Sequence, residues 1–462
     1  MFPSITNPNL PKEDSPTELR CQRGMFLLFF VLLFITRDAA LDFRYHDNTA
    51  MKEYLLHINT TSPEITHLHS IGRSVRGQEL WVMIVGLNPR QHTLGIPEFN
   101  YVANMHGNEV VGRELLLQLI DFLVEGYHSN SSSVKRLLSS TRIHFLPSMN
   151  PDGFDDADTQ CLHNQGRYNH NGVDLNRNFP DVFSDHSRQP KQQREPEVEA
   201  VMSWLRSETF VLSANLHGGA LVASYPYDSN QGRVLVGGAS VTPDNDVFVH
   251  LAKVYASSHS SMHHGNSCVH SNEFADGITN GYEWYPLSGG LQDYSYLHAQ
   301  CLDITLEVSC CKFPAEDQLK DFWTANRPPL IAFIQQIHLG VKGRVLGSSG
   351  PLQGALVVVS DRLNRCPFTT DHNGEYYRLL LPGNYTFMVS FPGYQVAQEM
   401  LSIPSNQNGF SALNHDFLMK PSSTAPTMIY PLCGHAHQQG GGATTSPALF
   451  CILLLTLLLL DL

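Results

Sequence analysis

The sequence predicts an α/β protein, with one large domain built on a mixed sheet followed by a small β-sandwich. Three observations carry this. From Leu41 to about His338, apolar runs of strand length alternate with amphipathic helical runs. After Gly340 the helical period disappears, and short strand-like runs are separated by Pro-Gly turn signals. At 462 residues, the chain is also too long for one ordinary domain.

In the large domain, Glu98 to Met105, Arg142 to Met149, Phe210 to Leu216 and Leu302 to Val308 read as strands, and Val110 to Leu123 and Val198 to Leu205 as helices. In the smaller unit the strands are Ala355 to Val359, Glu375 to Leu381, Tyr385 to Phe391 and Gln395 to Ile403, broken at Pro382-Gly383 and Pro392-Gly393. The expected layout is a leader and signal peptide over 1–40, the large domain over 41–338, the sandwich over 339–420, a stalk over 421–443 and a tail over 444–462.

Both ends read as addresses. Met25 to Ile35 is an apolar run of signal-peptide length preceded by Arg20 and Arg23, although Arg37 and Asp38 stand where small residues are usual before a cut. Translation from Met25 would give the same mature start near Leu41. Near the other end, Ala448 to Leu460 is apolar but reaches only about 20 Å as a helix, short of the ~30 Å hydrocarbon core. A small-residue tract, Gly440 to Ala443, precedes it and only Asp461 and Leu462 follow. That is the layout of a GPI-attachment signal, with a single-span anchor as the alternative.

Hydrophobic content of 42% supports a sizeable core, and a net charge of −13 argues against nucleic acid while favouring cationic substrates. Setting both end segments aside leaves seven cysteines: Cys161, Cys268, Cys301, Cys310, Cys311, Cys366 and Cys433. An odd number leaves at least one free thiol, and adjacent Cys310 and Cys311, if extended, face opposite ways and take different partners. There is no CxxC pair, so a thiolate zinc site has no support. Sequons at Asn59, Asn130 and Asn384 fit a secreted glycoprotein surface.

The informative feature is where polar residues end the strands. FNYVANM runs into His106-Gly-Asn-Glu109, RIHFLPSM into Asn150-Pro-Asp-Gly, FVLSANL into His217, and LDITL into Glu307. In open α/β sheets, ligands bind beyond the carboxyl ends of the strands, so these residues converge there. His106, Glu109 and His217 offer two nitrogens and one carboxylate, the donor set of a catalytic zinc with an open fourth position. H-x-x-E alone occurs about once per chain of this length by composition; the shared placement at strand ends gives it weight. Asp174-Leu-Asn-Arg-Asn-Phe-Pro180 sets Asn176 beside Arg177, whose planar fork suits a carboxylate, a solvated loop arginine being the alternative.

The strings YVANMHGNEVVGRELLLQLI, PSMNPDGF, GVDLNRNFPD, SANLHGGALVASYPYD, TNGYEWYPLSGGLQDYSY and ITLEVSCC together resemble the M14 metallocarboxypeptidases, in their regulatory (N/E) subfamily. The resemblance runs from Leu41 to about Lys420 and implies a transthyretin-like β-sandwich after the zinc carboxypeptidase domain. It implies one zinc ion on His106, Glu109 and His217, and Glu307 as the general base toward the attacking water. Arg167 would stabilise the oxyanion, and Asn176, Arg177 and Tyr285 would hold the substrate's terminal carboxylate. It implies that Asp228, 11 residues after His217, lies in the pocket for the last side chain with Gln292 on the wall. That would select C-terminal Lys or Arg, with a plain turn residue after Tyr225-Pro226-Tyr227 as the alternative for Asp228. It also implies pairing of Cys161 with Cys311, Cys268 with Cys310 and Cys366 with Cys433, leaving Cys301 free.

The expected protein is a zinc metallocarboxypeptidase acting on extracellular peptides and proteins while GPI-anchored at the cell membrane. Three rivals are weighed. An inert relative that only binds peptides or receptors is disfavoured by the intact Glu307, Arg167 and zinc ligands. A small-molecule deacylase on the same scaffold is disfavoured by Asn176, Arg177, Tyr285 and Asp228. An added adhesion or receptor role for the sandwich and stalk is compatible with catalysis.

Overall fold

A computed structural model describes Met1 and residues 41–161, 163–181, 183, 193–230, 238–266, 268, 273–362, 364, 366–405 and 412–422. The expected leader and tail, nearly all of the stalk, and Cys433 lie outside these residues. No helix among the described residues is long and apolar enough to cross a membrane.

The large domain is an eight-stranded mixed sheet. In chain order its strands are β1 (Thr66–Arg73), β2 (Glu79–Val85), β3 (Glu98–Ala103), β4 (Arg142–Leu146), β5 (Phe210–His217), β6 (Ala220–Tyr225), β7 (Ile278–Asn280) and β8 (Leu302–Ser309), and in space they run β1-β2-β4-β3-β5-β8-β6-β7. The central strands β4, β3, β5 and β8 are mutually parallel. The strand order therefore switches direction at β3, and the ends of β3, β5 and β8 open onto one crevice.

Alternation along two neighbouring strands builds both the core and the site. In β5, Leu212, Ala214 and Leu216 join the main core, as do Leu302, Ile304, Leu306 and Val308 in β8. The opposite faces pair Ser213 with Asp303, Asn215 with Thr305, and His217 with Glu307. A side-chain period of two thus delivers a polar ladder that ends in the two residues singled out from the sequence.

Helices cover both faces. The helix Asn48–Thr61 starts where Asp47 accepts a hydrogen bond from the Ala50 amide at 2.8 Å, and it buries Met51, Leu55 and Ile58 along one stripe. The helix Val111–His128 starts one residue later and runs five residues longer than the sequence pattern predicts. The sequence pattern does not reveal the helix Leu319–Gln335, because Pro328 and Pro329 lie inside it; burial of Trp323, Leu330 and Phe333 stabilises it instead.

The smaller unit begins with β9 (Val341–Gly347), β10 (Gly350–Pro351), β11 (Leu356–Val359), β12 (Phe368–Thr369) and β13 (Glu375–Arg378). It continues with β14 (Gly383–Ser390), β15 (Ala397–Ile403), β16 (Leu413–Asn414) and β17 (Phe417–Leu418). One sheet runs β10-β9-β13, with β16 and β17 pairing with β9, and the other runs β12-β11-β14-β15. Val341, Val345, Val357, Val359, Phe387, Val389 and Phe417 fill the space between them, a transthyretin-like β-sandwich.

Cys161 is bridged to Cys311 and Cys268 to Cys310, so the adjacent cysteines after β8 do take different partners. The free thiol among the described residues is the buried Cys301. Cys366 is disulfide-bonded, and the expected pairing with Cys433 falls on a residue outside the described ones. Asn130 and Asn384 are exposed and Asn59 is half-buried.

Candidate active site

The loop after β3 is shaped by two residues. Asn104 adopts a left-handed φ of 55° and its Nδ2 donates to the carbonyls of His106, Gly107 and Glu109 at 3.0, 2.9 and 3.3 Å. Gly107 packs against the turn after β4: a Cβ there would stand 2.1 Å from the Gly153 carbonyl carbon. The glycines of HGNE and NPDG are therefore a backbone-to-backbone contact that fixes two strand ends together.

This scaffold brings three donor atoms to one point. His106 Nδ1 lies 3.0 Å from Glu109 Oε2, His217 Nδ1 lies 2.8 Å from the same oxygen, and the two nitrogens are 3.1 Å apart. All three residues are buried. Tetrahedral ligands about 2.0–2.1 Å from zinc stand about 3.3 Å from one another, close to these separations. Two imidazole nitrogens facing each other across a carboxylate form a donor set that a divalent cation satisfies, so the residues present fit zinc.

Asp174 orients this set, a role not read from the sequence although the residue opens the DLNRNFP string. Its Oδ1 is 3.0 Å from His106 Nε2 and accepts from the Asn176 amide, while Oδ2 accepts from Arg167 Nε and Nη2 at 3.1 and 2.9 Å. Its carboxylate engages the far nitrogen of His106, leaving Nδ1 toward Glu109 and His217. Arg167 Nη1 reaches Glu109 Oε1 at 3.3 Å. Lys312, also not singled out beforehand, lines the same cavity with its Nζ 4.0 Å from Glu109 Oε1.

Glu307 faces the cavity from β8, and its buried Oε2 has no hydrogen-bond partner. Burial and then the Glu109 charge push its carboxyl up to about 7. Asn176 and Tyr285 line the same cavity of about 180 Å³, with Tyr285 42% exposed at its mouth. Asn176 Oδ1 accepts from the Leu291 amide at 2.9 Å, which leaves its amide nitrogen to donate. Arg177 is not among the lining residues; its Nη1 donates to the Asn176 carbonyl at 2.8 Å, just behind the wall.

Asp228 lies in the cavity wall, 5% exposed. Gln292, behind it, donates to Asp228 Oδ1 at 2.9 Å and accepts from the Thr305 amide of β8 at 2.9 Å, linking the aspartate to the strand that carries Glu307. Burial, which outweighs the favourable Arg177 charge, pushes Asp228 up to about 7. A Cβ on Gly281 would fall 1.8 Å from Asp228 Oδ1, so any larger residue there would displace the aspartate carboxylate.

The zinc carboxypeptidase family profile matches residues 51–328, and a carboxypeptidase regulatory-like domain matches residues 340–414. Carboxypeptidase M of Mus musculus is 53% identical over 382 residues, 82% of this chain and 85% of that protein. The carboxypeptidase N catalytic chain of Mus musculus is 42% identical over 444 residues, 91% of this chain and 95% of that one. Thrombin activatable fibrinolysis inhibitor shares the fold at a TM-score of 0.51 and 18% identity, over 63% of this chain and 74% of its own. With a family profile matched over more than half of its length, the chain belongs to the zinc carboxypeptidase family, M14, and is a zinc-dependent metallocarboxypeptidase.

Proposed function

We propose that the enzyme removes C-terminal Arg or Lys from extracellular peptides and proteins, working at the cell surface on a GPI anchor. His106, Glu109 and His217 hold the zinc, Glu307 and Arg167 are the catalytic pair, and Asn176, Arg177, Tyr285, Asp228 and Gln292 form the substrate site. The anchor reading is supported by the apolar run Ala448 to Leu460 behind Gly440 to Ala443, and secretion by the sequons at Asn59, Asn130 and Asn384 and the two disulfides.

Zinc, when bound, supplies a Lewis acid that polarises the scissile carbonyl and acidifies water. Glu307, with its unpartnered Oε2 beside the donor set, takes the proton of the attacking water and returns it to the leaving amine. Arg167, held by Asp174 with Nη1 beside Glu109 Oε1, supplies the positive charge for the oxygen that gains charge. The free amide nitrogen of Asn176 and the Tyr285 hydroxyl, with Arg177 adding positive charge behind, receive the terminal carboxylate, so that only a chain end fits.

The observation that carries the basic preference is Asp228. A buried carboxylate gains most from a cationic side chain that re-pairs it, and gains nothing from an apolar or acidic one. A panel of peptides differing only in the last residue tests this with wild type, Glu307→Gln and Asp228→Ala. Glu307→Gln is expected to lower turnover by about 10³-fold or more on every peptide. Asp228→Ala should erase the Arg and Lys preference while retaining activity on other ends. A retained basic preference in Asp228→Ala would overturn the assignment.

A further inference from the structure

We propose that Asp293 is the positioning residue of the side-chain pocket: its carboxyl group grips the backbone on either side of Asp228 and sets a second acidic group behind it, so that the pocket is completed only by a cation. This rests on the reading of Asp228 given above. The Asp293 oxygens accept from the Asp228 amide at 3.0 and 3.1 Å and from the Ser229 amide at 3.0 Å. Asp293 is 7% exposed, at the start of the helix Leu291–His298.

Three consecutive residues of that helix each hold a different part of the substrate site. The Leu291 amide donates to Asn176 Oδ1, the Gln292 side chain donates to Asp228 Oδ1, and Asp293 holds the Asp228 main chain. One helical turn therefore fixes the distance between the group proposed for the terminal carboxylate and the group proposed for the side chain. A loop aspartate held only through its own side chain would wander; held also through its backbone, it loses that freedom before substrate arrives.

A neutral acceptor would satisfy two amides, so the carboxylate needs its own reason. Asp293 is pushed well above the ordinary carboxylate range by burial, then by the Asp228 charge, and Asp181 adds to it. Asp228 is raised by burial and by Asp303, with Arg177 opposing. These are the charged groups bearing on the pair. Two carboxylates this close in a buried site retain protons that a guanidinium or ammonium would displace. Binding of a basic side chain is thus linked to proton release, whereas an apolar side chain leaves the protons in place.

The test compares Arg-ended and Leu-ended peptides, whose ratio of kcat/KM cancels any titration common to both. In wild type that ratio should rise with pH through neutrality. Asp293→Asn should lower the ratio about tenfold, mainly through KM, because the Asp228 main chain loses the carboxylate that grips both of its flanking amides. A ratio matching wild type would overturn the inference, as would an equal fall in kcat for both peptides. If Asp293→Asn does not fold, calorimetry on wild type in buffers of differing ionisation enthalpy decides. A guanidino-ended inhibitor should release about one more proton than its apolar analogue near pH 6.5, and equal release would overturn the proposal. Asp228→Ala separates the two readings: a retained basic preference there sinks the Asp228 assignment, while a lost one beside an unaltered Asp293→Asn sinks only this inference.

Discussion

Among the described residues three clusters of histidine and carboxylate could hold a cation on composition alone, and the contrast between two of them shows what building a metal centre takes. His106, Glu109 and His217 form the first; His92, Asp371 and Glu375, between the large domain and the sandwich, form the second, and in each the ligand atoms lie within 4.8 Å of one another. In the second, every donor already has its partner. His92 Nδ1 is 2.7 Å from Glu98 and Nε2 is 2.7 Å from Glu375, whose other oxygen accepts from the Gly95 amide at 2.5 Å. Asp371 accepts from the Asn373 and Glu375 amides at 2.9 and 2.8 Å. A proton shared along carboxylate, imidazole and carboxylate completes that cluster. In the first, two imidazole nitrogens confront each other across a carboxylate, and a cavity opens beside them. The lesson is that a metal centre is marked by what its lone pairs lack rather than by how many histidines it gathers.

The largest effect that could break this contrast is on metal content. His106→Ala should remove the stoichiometric zinc and with it essentially all turnover. His92→Ala should retain one zinc per chain and near wild-type turnover, and should instead cost about 1–3 kcal/mol of stability through its lost charged hydrogen bonds. Metal analysis of the two purified variants, with thermal unfolding alongside, checks both halves. Zinc lost equally from both variants would end the distinction.

Strand alternation made much of this legible from sequence. The polar residue closing each apolar run, His217 in FVLSANLH and Glu307 in LDITLE, was visible because β5 and β8 bury one face completely and carry function on the other. The Leu319–Gln335 helix was not visible, since its two internal prolines read as a break and tertiary burial overrides that signal. Asp174 and Asp293 were equally hidden. Each acts through a residue far off in the chain, Asp174 through His106 and Asp293 through Asp228, and no local pattern reports such long-range packing.

A smaller effect sharpens the comparison through pH. Burial alone would lower the His92 imidazole, but hydrogen bonds to Glu375 and Glu98 raise it to about 10. Its folded pKa lies above the ordinary value of about 6.5. The stabilisation is therefore complete below about pH 6.5 and is lost as pH rises toward 10. Zinc binding at the first cluster runs the other way, because protons compete with the metal for the same nitrogens. Between pH 7 and 10 the wild-type enzyme should keep its zinc while its Tm falls toward that of His92→Gln. A Tm difference between the two that does not change with pH would refute the link.

The smallest expected effect concerns salt. The interdomain cluster is nearly dry and its contacts are short, so added salt should barely change the stability it provides. Capture of a cationic peptide end by a chain of net charge −13 is a long-range event and should be screened. Raising ionic strength from about 0.05 to 0.5 M shortens the Debye length from roughly 14 to 4 Å. Over that range kcat/KM for an Arg-ended peptide should fall several-fold, and kcat should stay nearly constant. A flat response would remove steering but leave the site intact, since the role proposed for Asp228 concerns a side chain already within the cavity, at distances shorter than any screening length.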